Sequence, residues 1–226
     1  PADTTLLYVL IFVIAAVAAY FIIFSILSAL KHESFNSTAF DLGILDQSVW
    51  MMSQGYMGIN TVNGFVAFAD HVQPILFLPA LIYKLIQTPL VLVVLQALMI
   101  SLGAIPLYLI ARKKLGEKAA AVFVIAYFLY PPTQYQTLFD FHAESFLITF
   151  LLFAVYFLME KSMIGLFASL FLAGLTKEYI PVIFLFFAAY VLFFYKKPKV
   201  AAALAAIGIA WLWLNYGIII SSYEFT

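Results

Sequence analysis

Polar positions are scarce along this chain, and they are grouped. Between them lie apolar runs over residues 6–30, 90–110, 119–130, 145–159, 163–175, 180–195 and 200–220. A helix crosses about 30 Å of hydrocarbon with roughly 20 apolar residues, so the seven runs predict seven membrane spans. The first run holds no charge. It lacks the basic start and small-residue exit of a cleaved signal peptide, and is read as a span. Pro106 predicts a kink in the second run. Pro131 and Pro132 are expected to end the third run and open a polar loop that continues to Glu144.

Residues 31–73 form the one long polar stretch. Inside it, Phe40, Ile44, Leu45, Val49, Met51 and Met52 recur at helical spacing, interrupted by Asp46, Gln47 and Ser48. That pattern predicts an amphipathic helix lying in the membrane interface. Residues 74–86 are apolar but carry Pro79 and Lys84. As a helix they reach only about 20 Å, so they are expected to lie along the interface or dip back. Residues 31–89 thus make an external loop with juxtamembrane helices. The predicted fold class is all-α, a polytopic bundle forming a single transmembrane domain over residues 1–226.

Composition narrows the function classes. The chain is 66% hydrophobic and only 10% charged, against roughly 25% charged in soluble domains. Such a chain has too little polar surface to cover a soluble globule, which excludes a soluble enzyme and a disordered segment. Eleven Lys and Arg balance eleven Asp and Glu, so no basic field exists for nucleic acid. The absence of cysteine removes disulfides, thiolate metal sites and cysteine nucleophiles.

Charge placement sets the orientation. With residues 74–86 not crossing, Arg112, Lys113, Lys114, Lys118, Lys161, Lys196, Lys197 and Lys199 share one side with only Glu117 and Glu160. By the positive-inside rule that side is cytoplasmic, and so is the N-terminus. The external side then collects all three histidines and eight acids: Glu33, Asp41, Asp46, Asp70, Asp140, Glu144, Glu178 and Glu224. Three segments distant in sequence meet there, which is how a site at a membrane surface is built.

Within these segments, Asp140, His142 and Glu144 open a predicted span. In a helix Asp140 and Glu144 would share a face. Their oxygens with an imidazole suit a divalent cation such as Mg²⁺ or Mn²⁺. N-capping is the alternative for Asp140. Asp41 and Asp46 are candidate catalytic acids on the interfacial helix, where Gln47 and Trp50 are candidate substrate contacts; a merely solvated polar face is the alternative. Asp70 and His71 form a further ligand pair or a helix cap. Lys177, beside Glu178, sits between two apolar runs. It either forms an ordinary ion pair or holds a phosphate as a point charge. No nucleotide-binding, zinc-protease or serine-hydrolase motif is present.

Several of these residues also carry a resemblance. Phe40-Asp41-Leu42-Gly43 with Asp46-Gln47 and Trp50, Asp70-His71-Val72-Gln73-Pro74, Leu107-Tyr108 through Lys113, Phe141-His142-Ala143-Glu144 and Thr176-Lys177-Glu178 follow in order. This order resembles a family of prokaryotic membrane proteins called domain of unknown function 2079, grouped with the GT-C glycosyltransferases. The resemblance implies a GT-C-like enzyme of the prokaryotic plasma membrane. It would take a sugar from a polyprenyl-phosphate donor on the external face, with membrane lipid and that donor as partners. It implies that Asp41 is the essential acid of the first external loop. Asp140 with His142 stands where many such enzymes carry an acidic pair, and Thr176-Lys177 faces the donor phosphate. It also implies a longer protein of which this chain is the N-terminal part. A transporter or flippase with external acids as its entry gate, or a non-catalytic scaffold, is the alternative. Transporters tend to carry repeats and midplane charges, whereas here the charges sit at span ends.

Overall fold

The computed structural model describes residues 2–224, which are all-helical apart from one isolated bridge between Ile59 and Val66. Helix α1 (Ala2–Glu33) is followed by a π-helical turn (Ala39–Gly43) and α2 (Ile44–Ser53). Then come α3 (Ala67–Asp70), a 3₁₀ turn (Pro74–Leu76) and α4 (Phe77–Tyr83). Helices α5 (Leu90–Leu102), α6 (Ala104–Leu115), α7 (Glu117–Leu129) and α8 (Pro131–Leu138) lead to a second 3₁₀ turn (Ala143–Phe146). The chain closes with α9 (Leu147–Met159), α10 (Met163–Gly174), α11 (Val182–Tyr190), α12 (Pro198–Trp213) and α13 (Ser221–Glu224).

Three helical stretches are long and apolar enough to cross a membrane: Leu6–Glu33, Leu90–Leu115 and Pro198–Tyr223. The other expected spans are shorter, Ala143–Met159, Met163–Gly174 and Val182–Tyr195 among them. On α1 only a narrow seam of Val13, Tyr20 and Ser28 is buried, while Leu7, Ile11, Ile14, Ile22, Ile26 and Leu30 stay exposed. Such a coat is stable only against lipid.

The expected kink at Pro106 falls at the α5–α6 junction. There the Gly103 N–H turns to the Ile100 carbonyl. The Tyr127 hydroxyl donates to the same carbonyl at 2.7 Å, and the Thr149 hydroxyl donates to Met99 O. Neighbouring helices thus satisfy carbonyls that the broken ladder frees. A Cβ on residue 103 would stand 2.7 Å from the Tyr127 hydroxyl oxygen and 3.1 Å from that of Thr149, so glycine is required for both to approach.

One expectation fails in an informative way. Residues 131–138 are helix α8 rather than loop. Two prolines at the first helical positions start a helix, because their missing N–H groups would be unbonded there anyway. They break the preceding helix by forcing Tyr130 into an extended conformation, ψ 116°. The carbonyls at the end of α8 then need partners. Gln96, fully buried on α5, supplies them: its amide donates to Phe139 O at 2.9 Å and Gln136 O at 3.0 Å. Its own oxygen accepts from the His142 N–H at 3.0 Å.

Gln96→Leu fills the same space and strands these groups. Each buried unpaired polar group costs about 1–3 kcal/mol, so the expected loss of stability is roughly 2–4 kcal/mol. Unfolding in detergent, compared with Leu95→Met as a volume-conserving control, measures it.

Candidate functional site

The sequence builds two opposite ends. At one, Lys113 pairs with Glu160 at 2.7 Å, and the Tyr195 hydroxyl donates to Leu158 O at 2.8 Å. The turns after α6, α9 and α11 therefore meet. Helix α9 with its 3₁₀ entry carries the chain from there to Ala143, about 25 Å away. At that far end residues 38–48, 63–76, 140–144 and 175–178 come together.

They enclose a cavity of about 130 Å³, lined by Asp41, Asp70, His71, Gln73, His142 and Lys177 beside Phe40 and Leu45. The volume is below the usual 300–1,000 Å³ of drug-sized pockets, so it holds the polar end of a ligand rather than the whole of an extended one.

Thr38 organises one wall. Its hydroxyl caps the π-helical turn by accepting from the Asp41 N–H at 3.2 Å, and donates to Asp41 Oδ2 at 2.8 Å. Its backbone N–H donates to Asp140 Oδ2 at 2.7 Å. Asp140 is buried and pairs through Oδ1 with Lys31 Nζ at 2.6 Å. Burial alone would raise the Asp140 carboxyl, but the Lys31 and Thr38 donors outweigh it and hold it below the usual carboxylate value. Residues 139–142 are consequently non-helical. Asp140 and Glu144 do not share a helix face as a helical run would have placed them, because Gln96 takes the Phe139 carbonyl and the His142 N–H that a helix would use, while Lys31 and Thr38 draw the Asp140 carboxylate toward α1.

His142 stands opposite Asp41, with Nε2 3.5 Å from Asp41 Oδ1. Its Nδ1 lies 2.9 Å from the Asp140 carbonyl. A carbonyl only accepts, so Nδ1 carries a hydrogen, and Nε2 is left to face Asp41 at the cavity.

The other wall comes from the turn after α10. Lys177, buried, pairs with Glu144 Oε1 at 2.7 Å, and Gln73 donates to Glu144 Oε2 at 3.2 Å. Glu178 Oε1 lies 3.4 Å from His71 Nδ1, and its Oε2 accepts from the Val72 N–H at 3.2 Å. The Ile75 N–H reaches Leu175 O at 3.0 Å, which locks the two segments together. Asp70 accepts from Asn63 and sits 3.8 Å from His71 Nε2. Thr176 is fully buried and donates to Ala173 O, so it finishes its helix and does not line the cavity.

The remaining candidates face elsewhere. Asp46 accepts from the Tyr83 hydroxyl at 2.6 Å and joins α2 to α4. Burial and this carboxylate push the Tyr83 hydroxyl far above its usual value, so it remains a donor. Gln47 accepts from Thr61, and Trp50 donates to Gln87. These three staple the loop between α1 and α5. Among the described residues no three His, Asp or Glu side chains converge as a cation's ligand set. The carboxylates of Asp140 and Glu144 are each already neutralised by a lysine. Sequence reasoning missed Lys31, Thr38, Gln73 and Gln96. Only Gln96 carried a signal, as a lone amide inside an apolar run.

The Glu178 carboxylate raises the His71 pKa above its ordinary 6.5, against the opposing effects of burial and Lys177. A raised pKa in the folded state means the pair stabilises fully below pH 6.5. That contribution is lost as pH rises through the raised value. Thermal unfolding between about pH 5 and 9 should show this loss on the alkaline side, and His71→Asn should flatten it.

Residues 31–226 match the family described as Predicted membrane protein (DUF2079). No curated protein and no solved structure matches the chain. The family match begins at Lys31, at the end of α1, and takes in every residue that lines the cavity. An apolar bundle with three membrane-length helices and a match over most of its length place this chain in the DUF2079 family of predicted membrane proteins.

Proposed function

We propose that this chain is a GT-C-type membrane glycosyltransferase that takes its sugar from a polyprenyl-phosphate-linked donor. In this reading seven helices cross the prokaryotic plasma membrane. The N-terminus and the three basic turns are cytoplasmic, and the cavity opens to the external face. The observation that supports it is the meeting of Asp41, His142 and Lys177 around one small polar cavity, from segments more than a hundred residues apart.

The chemistry follows from that placement. An acceptor hydroxyl between Asp41 Oδ1 and His142 Nε2 gives up its proton to this pair as its oxygen bonds the sugar's anomeric carbon. The bond from that carbon to the donor phosphate breaks, and the lipid phosphate leaves as an anion facing Lys177. Glu144 and Gln73 hold the Lys177 side chain in place. No step is routed through a cation, since the acids expected to bind one are held by lysines; assays with and without Mg²⁺ or Mn²⁺ read whether one takes part.

Asp41→Asn keeps the shape and removes the base. Transfer of labelled sugar, assayed in the complete protein, should fall about 10²–10⁴-fold, the usual contribution of general-base catalysis. Lys177→Ala should raise KM for the donor as well as lower turnover, because its charge acts before and during reaction. Full transfer in Asp41→Asn overturns this role and favours a transport reading.

Orientation has its own test. Cysteines placed at exposed Asn36 and Gln54 should react with an impermeant thiol reagent on intact cells, and cysteines at exposed Lys114 and Lys197 should not. Reaction at Lys114 from outside reverses the topology.

A further inference from the structure

The basic end of the bundle carries a second feature that sugar transfer does not use. A crevice of about 490 Å³ opens there between α9 and α11. Its walls include Leu158, Met159, Phe187, Tyr190 and Tyr195, and its one charged lining residue is Lys114, in the last turn of α6. The volume lies in the range that encloses a drug-sized ligand, and the walls are almost wholly apolar.

Charge decides what fits. Arg112 is taken by Glu117 at 2.7 Å, and Lys113 by Glu160 at 2.7 Å. Lys114 has no carboxylate partner among the described residues. Eight basic residues stand here against three acids, Asp3, Glu117 and Glu160. The Tyr195 hydroxyl is engaged by Leu158 O, which leaves the Lys114 ammonium, beside the Tyr190 hydroxyl, as the charged head of a mostly apolar slot. A lysine at such a rim can lay its aliphatic stem on apolar surface and keep its charge at headgroup level. Phe186, at the rim, is 71% exposed, an arrangement suited to hydrocarbon rather than water. A soluble anion would gain nothing from such walls, and a zwitterionic lipid little from the net positive charge.

We propose that this crevice binds one acidic phospholipid of the cytoplasmic leaflet, its phosphate against Lys114 and an acyl chain along Phe187 and Tyr190. The proposal rests on the membrane orientation above and is independent of sugar transfer, so either can fail alone.

Native mass spectrometry of the detergent-solubilised chain tests it, using phosphatidylglycerol and phosphatidylcholine with identical acyl chains. The first phosphatidylglycerol should be retained about fivefold more tightly than the first phosphatidylcholine, the usual effect of one lysine near an anionic surface. Lys114→Gln should bring the two to parity. Lys199→Gln removes the same charge from the same end without lining the crevice, and should leave the preference intact. Phe187→Ala should weaken both lipids. Glycerol phosphate, a headgroup without chains, should not displace the bound lipid. Circular dichroism confirms that each variant keeps its helices. Equal effects of Lys114→Gln and Lys199→Gln would show only diffuse attraction and overturn the site. So would displacement by glycerol phosphate, or the absence of any preference in the unaltered chain.

Discussion

The side-chain amide of Gln96 is fully buried in an apolar helix, yet three backbone groups of residues 136–142 depend on it. The chain must turn between α8 and α9 without water to solvate its carbonyls, and a helix cannot make that turn. An amide offers two donors and an acceptor in one plane. Gln96 spends the donors on Gln136 and Phe139 and the acceptor on His142. Residues 139–142 can then stay extended inside the bundle, which frees Asp140 to reach α1 and turns His142 toward Asp41. Without that amide the same segment would have to be helical or wet, and the cavity would lose a wall.

A second layer of constraint is electrostatic. The cavity end holds Lys31–Asp140, Lys177–Glu144 and His71–Glu178 within a few residues of one another. Each pair joins segments far apart in sequence, so the charges close the cavity as well as line it. Buried pairs of this kind contribute little net stability over apolar packing, and removing one partner is costly. Their presence is better explained by what they position. Lys177 is held by Glu144 and still lines the cavity, and Asp41 is fixed by the same threonine that binds Asp140.

Much of this was legible in the sequence because hydrophobic periodicity is a local signal. The amphipathic pattern at residues 40–52 became α2, and the polar segments did converge, as charge segregation between the two ends implies. What was hidden depended on partners. Pro131 and Pro132 end a helix and begin one with the same chemistry, and only the packing of α8 against α1 and α5 selects the second outcome. Asp46, Gln47 and Trp50 lie on a helix whose polar side meets Tyr83, Thr61 and Gln87, and no spacing rule says which polar side faces a ligand. Lys31 reads as a solvated residue at a helix end until the fold brings Asp140 to it.

Helix lengths within the bundle are unequal. The outer stretches Leu6–Glu33 and Pro198–Tyr223 have 28 and 26 residues, about 42 and 39 Å of helix. Met163–Gly174, which leads to Lys177, has 12, about 18 Å. Against a hydrocarbon slab of about 30 Å, that helix is too short to cross, whereas the two long stretches exceed it. In the proposed reading, lipids around this short helix would thin or tilt to follow it, a hydrophobic mismatch that costs fractions of a kcal/mol per Å. The donor's phosphate would then reach the depth of Lys177 along the thinned surface rather than by crossing oil.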